Sequence, residues 1–142
     1  MKTLRQLLAS KDRTPVYVAP GDTVFQALKV MSDNNVGAVL VLDQGQLVGI
    51  FSERDYARKG ILHGKASKDT IVREVMSEKV LYVTPDRSIE ECMAIMTDKH
   101  FRHLPILEDG KVIGVISIGD VVKETISAQQ FIIAQLEKYI IG

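Results

Sequence analysis

The chain has 142 residues, about the length of one ordinary domain, and its 46% apolar content is sufficient for a buried core. Its 18 basic and 18 acidic side chains cancel, which removes the electrostatic signature of a general nucleic-acid binder. The single cysteine, Cys92, excludes an intramolecular disulfide and a cysteine-based metal site. No apolar run reaches the ~18 residues of a spanning helix, so we expect a cytoplasmic protein with neither membrane nor nucleic acid as its partner.

Two short segments with the same apolar pattern precede the larger elements. Thr3 to Ala9 carries leucines on one helical face, and Thr3 and Gln6 have the spacing of a capping box. Ile71 to Met76 has the same character at an offset of 68 residues. The pattern predicts a short helix at each place.

A proline-stopped extended segment follows each of these lead-in helices, at residues 16–18 and 81–83. A capped helix comes next in both places. Its Ser/Thr-x-x-Glu/Gln capping box is formed by Thr23 with Gln26 and by Ser88 with Glu91.

Apolar residues at the helical period predict the buried faces of these two helices. The faces comprise Val24, Ala27, Leu28 and Met31 in the first helix and Ile89, Cys92, Met93 and Met96 in the second. Cys92 therefore takes the place of Ala27 on a core face. We interpret it as a small buried hydrophobe rather than as a reactive thiol.

Two β-hairpins follow the capped helices. In each, two apolar runs flank a tight turn, Gln44-Gly45 in the first and Asp109-Gly110 in the second. The four predicted strands are Ala38 to Leu42, Leu47 to Phe51, Leu104 to Leu107 and Val112 to Ile116. Their nearly continuous apolarity predicts sheets that are covered on much of both faces.

A helix is predicted after each hairpin. The first begins at Ser52, ends near Gly60 and gives way to a linker over residues 61–69, whereas the second runs from Ile118 to about Ile140. The long helix carries a heptad-like seam of Val122, Ile126, Ile133, Leu136 and Ile140, interrupted by Gln129 and widened by Phe131, Ile132 and Tyr139. A subunit interface is favoured over a helix folded back on its own domain, because the first half of the chain has no such extension. We therefore expect a homodimer.

The elements are an internal duplication. Residues 16–56 align without a gap on residues 81–121, at an offset of 65, and ten aligned positions are identical. This predicts two β-α-β-β-α units of an α/β (α+β) fold, residues 1–66 and 67–142. Each unit is marginal in size, so we expect the two to share one core.

The most distinctive repeated stretch has the pattern Gly-h-h-Ser-x-x-Asp, where h is apolar, at residues 49–55 and 114–120. The pattern has a plain structural explanation, in which the serine caps a helix and the aspartate lies at the positive end of its dipole. Recurrence at the carboxyl end of a strand favours ligand binding, because strand ends that face helix amino termini commonly hold phosphate and ribose.

This duplicated order of proline-stopped strand, capped helix, hairpin and Gly-h-h-Ser-x-x-Asp helix resembles a pair of cystathionine-β-synthase (CBS) domains, or Bateman module, of the small stand-alone bacterial type. Phe101-Arg102-His103-Leu104-Pro105 adds to the resemblance, which covers essentially the whole chain. The resemblance implies two tandem repeats packed about a pseudo-twofold axis, two clefts between them that bind adenosine nucleotides, and dimerisation.

The resemblance also assigns ligand-binding residues. It implies that Asp55 and Asp120 bind ribose, that Ser52 and Ser117 contact phosphate or ribose, and that Arg102 and His103 lie beside phosphate, unless these two are solvated surface residues. The other predicted site residues are Arg54 as an anion contact, Met76, Ser77 and Val80 at the adenine end of the Asp55 cleft, and Gly37 and Ala38 as open space and backbone groups in the Asp120 cleft. We expect at least one cleft to bind a nucleotide, without a ranking between them.

The expected function is a non-catalytic regulatory module. An AMP-like nucleotide, or else ATP, NADH or S-adenosylmethionine, binds between the repeats and changes a conformation that a separate partner protein reads. The alternative is a ligand-independent interaction scaffold, or a regulator of a redox partner such as thioredoxin. The sequence has no phosphate-binding loop, nucleophile elbow or metal-ligand spacing, so neither catalysis nor an obligatory cofactor or metal is expected.

Overall fold

The structure, a computed structural model, describes residues 2–10 and 15–140. Its elements are α1 (Leu4–Ser10), β1 (Tyr17–Val18), α2 (Val24–Asn34), β2 (Ala38–Asp43), β3 (Gln46–Ser52), α3 (Glu53–Asp55), α4 (Ile89–Lys99), β4 (His103–Glu108), β5 (Lys111–Ser117) and α5 (Ile118–Ile140). They form two small sheets with helices packed beside them. The predicted α/β class is therefore confirmed.

The first sheet contains β1, β2 and β3 in that order. β1 runs parallel to β2, and β2 pairs antiparallel with β3 in a register that sets Leu40 opposite Ile50. The turn residues Gln44 and Gly45 have φ angles of 50° and 80°, the left-handed backbone that a two-residue hairpin turn requires. The predicted hairpin is confirmed, and so is its counterpart formed by β4 and β5.

The second sheet has two strands, because its proline-stopped segment pairs with β4 only at Val83. The Val83 amide donates to the Pro105 carbonyl at 3.0 Å, and the Val83 carbonyl accepts from the Leu107 amide at 2.9 Å. In the first sheet the equivalent of Pro105 is Leu40, whose amide donates to the Val16 carbonyl at 3.1 Å. Proline has no amide hydrogen, so the matching bond cannot form. The predicted first strand of the second unit is therefore wrong, and a single bridge replaces it.

The described residues form two apolar cores, one in each unit, which corrects the expectation of a single shared core. The core of the second unit includes Leu4 and Leu7 of α1, which are 0% and 5% exposed. The core of the first unit includes Val72 and Val75 from the lead-in segment of the second. Fully burying one such side chain contributes ~1.5–3 kcal/mol. Each unit thus completes its core with side chains from the other, and this exchange joins the two units.

The exchange is reciprocal down to individual hydrogen bonds. The Leu4 amide donates to the Arg87 carbonyl at 2.9 Å, and the Val72 amide donates to the Asp22 carbonyl at 2.8 Å. Two isolated bridges match in the same way, Thr3 with Ser88 and Thr23 with Ile71. In each case a residue of one unit makes the contact that its equivalent makes in the other direction. The units are therefore related by the approximate twofold axis that the resemblance implied.

The helix after the first hairpin is less regular than predicted. Its α-helical turn, Glu53–Asp55, continues as a π-helical turn, Tyr56–Gly60, and a 3-10 turn, Ile61–His63. The backbone of Gly60 (φ −98°, ψ −86°) leaves the helical conformation, so the predicted end near Gly60 is confirmed. The separate 3-10 turn ends at Gly64, whose φ of 72° suits a left-handed cap.

The lead-in segment of the second unit forms one 3-10 turn, Val72–Glu74, rather than a helix like α1. The chain leaves the helical path because Ser77 pairs with Ile50 of β3. The Ser77 amide donates to the Ile50 carbonyl at 2.8 Å, and the Ile50 amide donates back at 3.0 Å. A backbone paired in such a bridge cannot also extend the preceding turn.

α5 has the predicted bounds, and its first turns pack on the second unit. Val121 is fully buried there, whereas the seam residues Val122, Ile126, Ile133 and Leu136 are 46–55% exposed. The seam is therefore not folded back on the described part of the chain, and the side chain of Ile140 lies outside that part. None of the described helices has both the length and the apolarity needed to cross a bilayer.

Candidate functional site

A cleft of about 450 Å³ opens between the two units, next to the start of α5. The first unit and α1 contribute Leu8, Pro15, Val16, Asn35, Val36, Gly37, Ala38, Val39, Leu40 and Ile50, and the second unit contributes His103, Gly114, Val115, Ser117 and Asp120. Small-molecule sites typically measure ~300–1,000 Å³. The cleft can therefore admit a ligand of nucleoside size that touches both units.

Ser117 and Asp120 form a capping box at the start of α5. The Asp120 amide donates to Ser117 Oγ at 3.2 Å, and Asp120 Oδ2 accepts from the Ser117 amide and hydroxyl, both at 2.9 Å. This is the plain structural explanation of the repeated motif. The same two residues line the cleft, at the positive end of the α5 dipole. The cap thus fixes a carboxylate and a hydroxyl on the cleft wall.

His103 and Arg102 lie in different environments at the start of β4. His103 is partly buried, lines the cleft and lies directly opposite Ser117 in the register of β4 and β5. Arg102 is exposed and is not among the described lining residues. The predicted basic pair is therefore divided, and of the two residues His103 lines the cleft.

The first unit contributes backbone and open space to this cleft. Gly37 and Ala38 line it where β2 begins, after Asn35 ends α2 with a left-handed φ of 53°. A Cβ at Gly37 would meet nothing within 4 Å. These are the positions at which room and backbone groups were expected beside Asp120.

Around Asp55, the protein's own side chains engage the carboxylate. Asp55 and Ser52 form the same capping box, with distances of 3.0–3.1 Å. The second carboxylate oxygen of Asp55, Oδ1, accepts from the Ser77 hydroxyl at 3.2 Å and lies 3.5 Å from the Lys59 ammonium. Lys59 also donates to Ser77 Oγ at 3.3 Å. Both oxygens of the carboxylate expected to bind ribose are therefore engaged within the chain.

The residues predicted for the adenine end of the Asp55 cleft lie close to β3. Met76 is buried, and its Sδ would be 2.7 Å from a Cβ added at Gly49. Ser77 is bonded to Asp55, and Val80 is partly buried. Arg54 is exposed on α3. Ser77 thus engages Asp55 directly, whereas the contact of Met76 with Gly49 has a counterpart in the other unit, where a Cβ at Gly114 would meet a Leu8 methyl carbon.

The alignment shows that the two residues that engage Asp55 from outside its capping box are not repeated in the other unit. The equivalent of Lys59 is Glu124, a carboxylate that instead accepts from Lys2 at 3.3 Å. The equivalent of Ser77 is Ala9, which has no hydroxyl. Lys59 was missed in the sequence, although its position one helical turn after Asp55 indicates an ion pair.

Several apolar lining residues were also missed, because periodicity places them in strands and helices without saying which face meets the other unit. They are Leu8, Pro15, Val16, Val39, Leu40, Ile50 and Val115.

Neither a reactive thiol nor a metal centre accompanies the cleft. Cys92 is fully buried in the core of the second unit, which confirms its predicted role as a small hydrophobe. Burial raises the pKa of its thiol to about 11, so it stays protonated near neutral pH. Within residues 2–10 and 15–140, no group of three or more His, Cys, Asp or Glu side chains could hold a metal ion.

The CBS domain family model matches the chain twice, at residues 9–61 and 72–127. The CBS domain-containing protein CBSX3, mitochondrial, of Arabidopsis thaliana is 40% identical over 138 residues, which cover 94% of this chain and 67% of the plant protein. Among solved structures, the CBS domain NE2398 shares 49% identity with a TM-score of 0.84, over 88% of this chain and 98% of that one.

Two further solved structures with this fold hold adenosine compounds. CBSX2 in complex with AMP is 24% identical with a TM-score of 0.74, and the match covers 91% of this chain and 99% of CBSX2. The CBS domain pair of protein MJ0100, in complex with 5′-methylthioadenosine and S-adenosyl-L-methionine, is 18% identical with a TM-score of 0.80, over 90% and 98%. At these identities the likeness shows a common fold.

Proposed function

The chain belongs to the CBS domain family, whose members are typically regulatory, non-catalytic modules, and we propose that it binds an adenosine nucleotide between its two units. Occupancy of the cleft beside Asp120 changes the relative arrangement of the units, and a separate partner protein reads that change. The protein acts as a cytoplasmic homodimer without catalytic activity of its own.

The observation that carries the proposal is the composition of the cleft wall. Both units line the cleft, so a ligand inside it contacts both and favours the arrangement in which these contacts coexist. Ser117, Asp120 and His103 bring a hydroxyl, a carboxylate and an imidazole to one end, beside an apolar wall. An apolar wall with a few convergent polar groups is typical of small-molecule sites.

Each group has a role in the proposed complex. The adenine ring packs on the apolar wall, and the Asp120 carboxylate accepts from ribose hydroxyls. Phosphate lies near His103 and Ser117, where the amino terminus of α5 favours negative charge. The volume of about 450 Å³ favours a mononucleotide such as AMP over NADH, which carries a second nucleoside. AMP-bound CBSX2 and S-adenosylmethionine-bound MJ0100 support an adenosine ligand in this fold.

Calorimetric titration with AMP, comparing Asp120→Asn with Asp55→Asn, tests the assignment. Asparagine keeps an acceptor for the capping box and removes the charge, so both variants perturb their helix starts alike. Asp120→Asn should weaken AMP binding by roughly 10- to 100-fold, because it removes a charged acceptor for the ribose hydroxyls. Asp55→Asn should bind AMP like the wild type, because Ser77 and Lys59 occupy that carboxylate.

Two results would contradict the proposal in different ways. Equal loss of binding in both variants would indicate a general effect on the helix starts rather than a site at Asp120. No increase in melting temperature with AMP, ATP, NADH or S-adenosylmethionine would favour a ligand-independent scaffold, since a ligand that binds only the folded state must raise it.

A further inference from the structure

α5 presents an apolar face that the rest of the described chain leaves uncovered. We define the α5 seam as the a and d positions of its heptads, which are Val122, Ile126, Gln129, Ile133 and Leu136. The four apolar seam residues are 46–55% exposed, and every residue at positions 126–134 is exposed. An exposed stripe that is apolar except at Gln129 marks an interaction surface.

We propose that the α5 seam of a second copy covers this face, with the two helices antiparallel about a twofold axis near residue 131. The geometry deepens the homodimer proposed above and does not depend on nucleotide binding. In an antiparallel pair each a residue faces a d residue, so Ile126 packs against the partner's Leu136. Ile133 packs against the partner's Gln129, so neither glutamine faces the other.

The charges beside the seam select the antiparallel direction. Lys123 and Glu137 occupy the same flank, 14 residues apart, at the e positions. Antiparallel pairing brings Lys123 next to the partner's Glu137, and the twofold axis repeats this contact. A parallel pair would instead set Gln129 against the partner's Gln129 and bring Glu137 beside the partner's Ile132. Only the antiparallel arrangement is complementary in charge.

The flank that carries these charges is also accessible. Val121 is fully buried against the second unit, and Lys123 follows it by two residues, or about 200° around the helix. Lys123 and Glu137 are exposed. A second helix can therefore approach the seam from the Lys123 side without displacing the contacts that anchor α5.

Sedimentation equilibrium of the full chain tests which face pairs. Ile133→Asp puts a charge into the seam and should weaken dimerisation on the order of a hundredfold, because the dimer buries one charge from each copy. Ala128→Asp puts the same charge at an exposed position outside the seam and should leave the dimer intact. A monomeric wild-type chain, or dissociation by Ala128→Asp instead, overturns the proposal.

A charge exchange tests the direction of pairing. Lys123→Glu and Glu137→Lys should each raise the dimer Kd by roughly tenfold, since each removes two exposed ion pairs, and the double variant should restore it. Lys138→Glu makes a similar charge change away from the seam and serves as the control. Weakening that accumulates in the double variant overturns the antiparallel register.

Titration of the same variants with AMP separates the two proposals. A chain that binds AMP but sediments as a monomer overturns the helix pairing alone. A dimer with the expected response to seam variants that binds no AMP supports the pairing and overturns the nucleotide site alone.

Discussion

Leu4→Ala should destabilise the second unit, although Leu4 precedes the first. Its side chain is fully buried among Ile89, Cys92 and Leu104 of the second core, so truncation leaves a cavity there. Leucine-to-alanine changes in a core cost ~2–5 kcal/mol, and we take ~3 kcal/mol. For a chain of 142 residues each kcal/mol lowers Tm by ~3 °C, so Tm should fall by ~10 °C.

Hydrogen exchange followed by mass spectrometry locates the loss. In Leu4→Ala the amides of α4, β4 and β5 should exchange faster than in the wild type, because their core has lost a side chain. β2 and β3 should keep rates closer to those of the wild type. Val72→Ala provides the mirror image, since Val72 is fully buried in the first core, and it should accelerate exchange in β2 and β3.

The opposite pattern would refute the reciprocal exchange of lead-in segments. If Leu4→Ala accelerated exchange in β2 and β3 and left β4 and β5 protected, α1 would belong to the core of its own unit. A Tm within ~2 °C of the wild type would contradict the burial of Leu4 in either core.

Two further predictions concern the close contacts of the fold. Gly49→Ala should destabilise by ~1–3 kcal/mol in chemical denaturation, because its Cβ would lie 2.7 Å from Met76 Sδ and 3.0 Å from a backbone oxygen. Gly37→Ala, with open space around it, should change stability little, and equal effects would remove this explanation. Burial raises the pKa of the Cys92 thiol from 9.0 to about 11, so the unfolded thiol ionises first and the free energy of unfolding should fall between these pH values. Cys92→Ala should abolish that part of the pH dependence, and an unchanged slope in this variant would contradict the assignment.

The local features of the fold follow from the sequence because short segments determine them. Turn residues at Gly45 and Gly110 fixed both hairpins, and the spacing from Thr23 to Gln26 fixed a helix start. The loss of the first strand in the second unit could also have been predicted, because Pro105 aligns with Leu40. The Leu40 amide donates to the Val16 carbonyl, and proline has no amide hydrogen to do the same. Such features depend on residues that are close in sequence or aligned between the repeats.

The exchange of lead-in segments between the two units could not be predicted from the sequence. An offset of 68 residues shows that Leu4 and Val72 are equivalent, but equivalence does not say which core each side chain enters. The different surroundings of Asp55 and Asp120 could be predicted from the sequence only in part. Lys59 and Ser77 are absent from the equivalent positions, yet their effect on Asp55 depends on a contact between segments that only the folded chain brings together.

The number of AMP molecules bound per chain at saturation, measured by calorimetric titration, tests the nucleotide proposal most directly. We predict one, held beside Asp120, because the described cleft that both units line lies beside Asp120. Two per chain would contradict the assignment of a single site beside Asp120, and none would contradict the proposed site altogether.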